Sequence, residues 1–151
     1  MNFERITKTG RAKECDVAPS NADVDHWLHL AWKVYREYDL RVPLFDSVEQ
    51  SCRGFLIGCR ARQCMKTVIT INPDGSVAAC PNTANSVIGI VSANGFQFND
   101  RRETQCKFEE SVNKKCYTCK YLRYCNGDCC QLNYDESGCP GLASIYKEIL
   151  G

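Results

Sequence analysis

The chain has 151 residues, 44% of them hydrophobic and 25% charged, which suits one globular domain or one domain with an appendage. A net charge of +1 gives no long-range reason to expect nucleic acid, an anionic membrane surface or an acidic partner. No apolar run in the sequence is long enough to span a bilayer, so no membrane role is expected.

The first residues, MNFERITKTGRAKEC, hold no apolar stretch of signal-peptide length and are charged from Glu4 onward. A reducing cytoplasm is therefore the expected compartment. Residues 2–7 alternate as a short strand does, and Lys8-Thr9-Gly10 breaks the run. Ser20 with Asp23 has the look of a helix cap. Behind it Val24, Trp27, Leu28, Ala31, Val34, Tyr35 and Tyr38 form one helical stripe, expected to be core. His26 and His29 lie within this helix and read as surface or packing residues. Residues 41–48 lead out of it, and a boundary is expected there, dividing the chain into residues 1–50 and 51–151.

Residues 65–71 and 76–80 are β-rich runs on either side of Asn72-Pro73-Asp74-Gly75, a turn in which Pro sets φ and Gly takes the positive-φ position. The resulting hairpin would bring Cys64 and Cys80 to the same end of a two-stranded ribbon. Residues 101–115 are charged and expected to be helical, and residues 141–151 read as a terminal helix. The chain has no internal repeats and no low-complexity segments.

The dominant feature is cysteine: twelve residues, at the edge where composition alone suggests a cysteine-built scaffold. In a reducing compartment such thiols are metal ligands or catalytic groups more often than disulfides. The spacing is C-x10-G-x4-C from Cys64 to Cys80, then C-x2-C-x5-C-x3-C through Cys116, Cys119, Cys125 and Cys129, and a final Cys139. Crowded thiolates suit soft-metal centres of zinc, copper(I) or iron–sulfur type. Zinc sites usually pair two C-x2-C knuckles across a longer gap, whereas this chain has one crowded run and a distant hairpin pair.

These seven cysteines, over roughly the last two-thirds of the chain, resemble the SPASM domain of radical S-adenosylmethionine (radical SAM) enzymes. That resemblance implies a small α+β, Fe–S-stabilised fold, a β-hairpin with short helices around two auxiliary 4Fe–4S clusters. Carried over by position, Cys64, Cys80 and Cys129 would hold the first cluster, with a fourth ligand upstream, Cys59 or, failing it, Cys52. Cys116, Cys119, Cys125 and Cys139 would hold the second. Cys15, Cys106 and Cys130 read as spare thiols, although Cys130 is an alternative to Cys129. The segment FERITKTGRAKE and the helix after it resemble the last strand and helix of the radical SAM partial barrel, giving a β-strand/α-helix unit ahead of the SPASM-like domain.

One departure matters. The cluster motif that binds S-adenosylmethionine in that family, C-x3-C-x2-C, occurs nowhere: after Cys125-x3-Cys129 the third position is Leu132. The expectation is an auxiliary iron–sulfur chain, not catalytic alone, that meets S-adenosylmethionine only through a radical SAM barrel subunit or domain. It would relay electrons or position a substrate in peptide or protein modification. The alternatives are a zinc-stabilised protein-interaction module without a redox role, and a truncated fragment of a longer radical SAM enzyme. Arg60, Arg62, Lys114, Lys115, Lys120 and Arg123 surround the cysteines and read as a solvated charged rim.

Overall fold

The computed structural model describes Phe3, Arg5, Ile6, Ala12, Glu14, Cys15 and residues 17–83 and 86–151. Among these residues the chain forms a small α+β fold with a four-stranded antiparallel sheet, and no helix is long and apolar enough to cross a membrane. The strand expected over residues 2–7 falls partly outside the described residues. Of that run, Phe3, Arg5 and Ile6 are described and belong to no strand.

Helix α1 spans Asn21–Glu37 and starts where the sequence places it, with the Ser20 hydroxyl accepting from the Asp23 amide at 3.1 Å. Its inward face differs from the expected stripe. Trp32 and Tyr35 are buried, whereas Trp27, Val34 and Tyr38 are 66%, 47% and 64% exposed. The reason lies in the neighbours. Helix α2, Pro43–Cys52, follows within six residues and meets α1 through Phe45, whose ring lies 5.6 Å from Trp32 and 5.3 Å from Tyr35. Residues 41–48 are thus not a simple connector: Pro43 sits in the first helical turn, where its missing N–H costs nothing.

Helix α6, Ala143–Leu150, closes this core with Ile145 and Tyr146. The core joins Trp32, Tyr35, Val42, Phe45 and Val48 to Cys125, Leu142, Ile145 and Tyr146. Residues on both sides of position 50 therefore share one hydrophobic interior. Polar ties reinforce the join. Asp25 on α1 accepts the Ser144 amide in the first turn of α6 at 3.1 Å, and Glu148 on α6 accepts from Trp32 Nε1 at 3.1 Å and from His29.

The second core lies under the sheet. Strands β1 (Thr70–Ile71), β2 (Ser76–Ala78), β3 (Val87–Ser92) and β4 (Gly95–Phe98) run in sequential order. The first hairpin forms around the expected turn, with Thr70 opposite Ala78 and Ile71 opposite Val77. Its leading strand is shorter than expected, because Cys64–Thr67 coils into the short helix α3. Val77, Ala79 and Ile88 pack with Met65 beneath helix α4, Arg101–Glu110. The short helix α5, Leu122–Cys125, carries the crowded cysteine run.

Candidate metal centre

All twelve cysteines lie among the described residues, and none is in a disulfide. Eight of them gather in two places. In the first, Cys59 comes from a 3-10 turn at Gly58–Ala61, Cys64 opens α3, Cys80 follows β2, and Cys129 follows the crowded run. The Cys59 thiol hydrogen-bonds to Cys129, and Cys64 neighbours both Cys129 and Cys80. Cys130 joins them by a hydrogen bond to Cys129.

In the second place, Cys116, Cys119, Cys125 and Cys139 line one cavity together with Leu132, Tyr134 and Gly141. Gly141 leaves the room: a Cβ there would stand 3.2 Å from Cys125 Sγ and 3.4 Å from Cys139 Sγ. The Gly141 amide donates to Cys139 Sγ at 3.3 Å, and the Tyr134 hydroxyl lies 3.4 Å from Cys116 Sγ and also bonds to Cys139.

The chain separates Cys125 from Cys129 by a backbone device. Asn126, Gly127 and Asp128 all have positive φ, at 50°, 75° and 52°. Three left-handed residues in succession are costly for ordinary side chains, and Asn, Gly and Asp are the types that tolerate the conformation best. This turn sends Cys125 to the cavity and Cys129 to the other set. Gly127 is required twice over, since its Cβ would also stand 3.0 Å from Val112 Cγ1.

Two arginines brace the turn. Arg60 is 3% exposed and donates through Nε to the Tyr146 hydroxyl at 2.9 Å, to Ser47 Oγ at 2.7 Å and to Asp128 Oδ2 at 3.1 Å. Arg62 donates to the carbonyls of Glu109, Asn126, Asp128 and Ser111. These two are internal cations rather than members of a solvated rim. Arg60 faces Cys125, and Arg62 faces Cys129 and Cys130. Lys115 and Lys120 rest over the rings of Tyr134 and Tyr121, and Arg123 over Tyr124.

The thiols are unequal. Hydrogen bonds from Cys130 and Cys59 hold Cys129 well below the usual thiol range, aided by the Gln131 amide and the Arg62 charge. The same bonds push Cys59 and Cys130 up. Burial, then the Glu109 carboxylate, raises Cys64 to about 11, and burial raises Cys125 to about 12. Glu109, 4% exposed, accepts the Met65 amide at 3.0 Å and the Cys64 amide. One negative charge thus settles on Cys129, the sulfur with the most donors.

Among the described residues, no group of three or more His, Cys, Asp or Glu side chains stands ready to hold a metal ion. Cys52 packs against the helical core and Cys106 against the sheet core, so the structure sets Cys59, not Cys52, beside Cys129. Cys15 is exposed. Tyr134, Glu109, Gly141 and the buried role of Arg60 have no signature in local sequence. No family model, no curated protein and no solved structure matches this chain. The likeness to SPASM domains rests on cysteine spacing alone.

Proposed function

We propose that this chain is an auxiliary iron–sulfur module that holds two 4Fe–4S clusters and works beside a radical SAM core in peptide or protein modification. The observation that carries the reading is the partition of eight cysteines into two sets of four, with neighbours Cys125 and Cys129 assigned to different sets by the left-handed Asn126–Asp128 turn. Cys59, Cys64, Cys80 and Cys129 would hold one cluster, and Cys116, Cys119, Cys125 and Cys139 the other. Such clusters, when bound, take up and release single electrons. The chain's own residues supply the surroundings. Arg60 and Arg62 place fixed positive charge beside thiolates, Tyr134 donates a hydrogen bond to cysteine sulfur, and Gly141 keeps the second cavity open.

The partner follows from α1. Its outer face exposes Trp27, Leu30, Val34 and Tyr38, an apolar stripe suited to packing on another helical layer, as a barrel subunit carrying C-x3-C-x2-C would offer. S-adenosylmethionine would enter the reaction only through that partner. The test is site-selective. Cys80→Ala and Cys119→Ala should each remove about four of eight irons, and each should abolish a different electron paramagnetic resonance signal of the reduced protein. Loss of one and the same signal in both variants would refute the partition. The isolated chain should form no 5′-deoxyadenosine from S-adenosylmethionine under dithionite, and robust formation would overturn the dependence on a partner.

A further inference from the structure

The first cysteine set contains one thiol more than a four-ligand centre uses. Cys129 lies within hydrogen-bonding distance of Cys59 and also of Cys130. Cys130 is half-buried, and its sulfur also accepts from the Gln131 side-chain amide at 3.7 Å. The backbone turns tightly here, with the Leu132 amide donating to the Cys129 carbonyl at 3.0 Å. That turn lets the side chains of two consecutive residues meet the same set.

The charges around the pair favour an anion on either sulfur, but not equally. The Arg62 guanidinium faces both, and the hydrogen bonds it makes all go to backbone carbonyls, so no carboxylate hydrogen bond takes up its charge. The Glu109 carboxylate, tied to the amides that open α3, faces Cys130 and disfavours a thiolate there. Cys129 is accordingly the resting anion and Cys130 the reserve. The two other thiols outside both sets with an assigned packing place, Cys52 and Cys106, sit in the two hydrophobic cores.

We propose that Cys130 is an exchangeable ligand of the first centre, able to take the place of Cys129. This rests on the reading of that set as a cluster site. The exchange balances without an external reagent. Cys130 gives up its thiol proton as its sulfur–iron bond forms, Cys129 takes that proton up as its own bond breaks, and no electron is transferred. The hydrogen bond between the two sulfurs is the route for the proton.

The test compares wild type, Cys129→Ala and Cys129→Ala/Cys130→Ala after anaerobic reconstitution, by iron and sulfide content and by electron paramagnetic resonance. The single variant is expected to keep about eight irons with an altered first-centre signal, because the incoming sulfur approaches from a different residue. The double variant is expected to fall to about four, with the second-centre signal intact as an internal report of folding. The proposal is overturned if Cys129→Ala alone falls to four irons or fewer, or if the double variant keeps all eight. Wild type without iron and sulfide would instead bring down the cluster reading itself, and this inference with it.

Discussion

Replacing Arg60 by leucine should destabilise the fold more than any exposed substitution, because it strips three partners at once. The guanidinium is 3% exposed, and Asp128, 3.1 Å away, has a side chain only 13% exposed. At an effective dielectric of about 20, two unit charges at this separation attract by about 5 kcal/mol before desolvation is counted. Removing one member of such a pair strands the other, a loss of about 3–5 kcal/mol against a total stability of about 5–15 kcal/mol. Asp128→Asn isolates the charge, since the amide oxygen can still accept from the Cys129 amide now bound at 2.8 Å. A double-mutant cycle in urea, followed through the buried indole of Trp32, should give a coupling of about 2–3 kcal/mol between the two sites. Additivity within about 0.5 kcal/mol, or a cost of Arg60→Leu below about 1 kcal/mol, would refute the claim that this ion pair ties α2, α6 and the cysteine turn together.

Gly141→Ala should lower iron loading toward about four per chain by crowding the second set while sparing the first, since its Cβ would press on Cys125 and Cys139; full loading of both centres would count against the cavity as a binding site. Ile145→Ala, at a fully buried position in the core shared by α1, α2 and α6, should cost about 2–5 kcal/mol and lower Tm by on the order of 10 °C, as read by calorimetry. Glu148 is held below the ordinary carboxylate range by its hydrogen bond from His29, then by that from Trp32. Its stabilising effect is therefore present at neutral pH and lost as pH falls through its lowered value. Glu148→Gln should lower Tm at pH 7, with the difference from wild type shrinking once the pH passes well below about 4.3.

What the sequence makes legible is local. The Ser20 cap and the Asn72–Gly75 turn are written in residues that satisfy their own backbone, and both stand where they were expected. Helical periodicity on α1 finds an apolar stripe but not which side meets the core: Trp32 outweighs Trp27 because Phe45 of α2 stacks there. Helix α2 is short and opens on proline, so its signal resembles that of a connector. The hairpin of β3 and β4 turns on Ala93-Asn94, a weaker signal than Asn-Gly, and Gly89 interrupts the strand pattern. At the candidate centre, the cysteines announce themselves by spacing, and Asn126-Gly127-Asp128 is a readable left-handed turn once its φ values are seen. Arg60, Glu109 and Tyr134 are not readable, because their partners lie 18 to 86 residues away in sequence.

The central claim is that the two cysteine sets are iron–sulfur sites, and elemental analysis of the anaerobically purified, full-length chain tests it most directly. The account predicts a brown protein with about eight iron and eight acid-labile sulfide per chain. Stoichiometric zinc with no sulfide would contradict it and favour the zinc-stabilised interaction module.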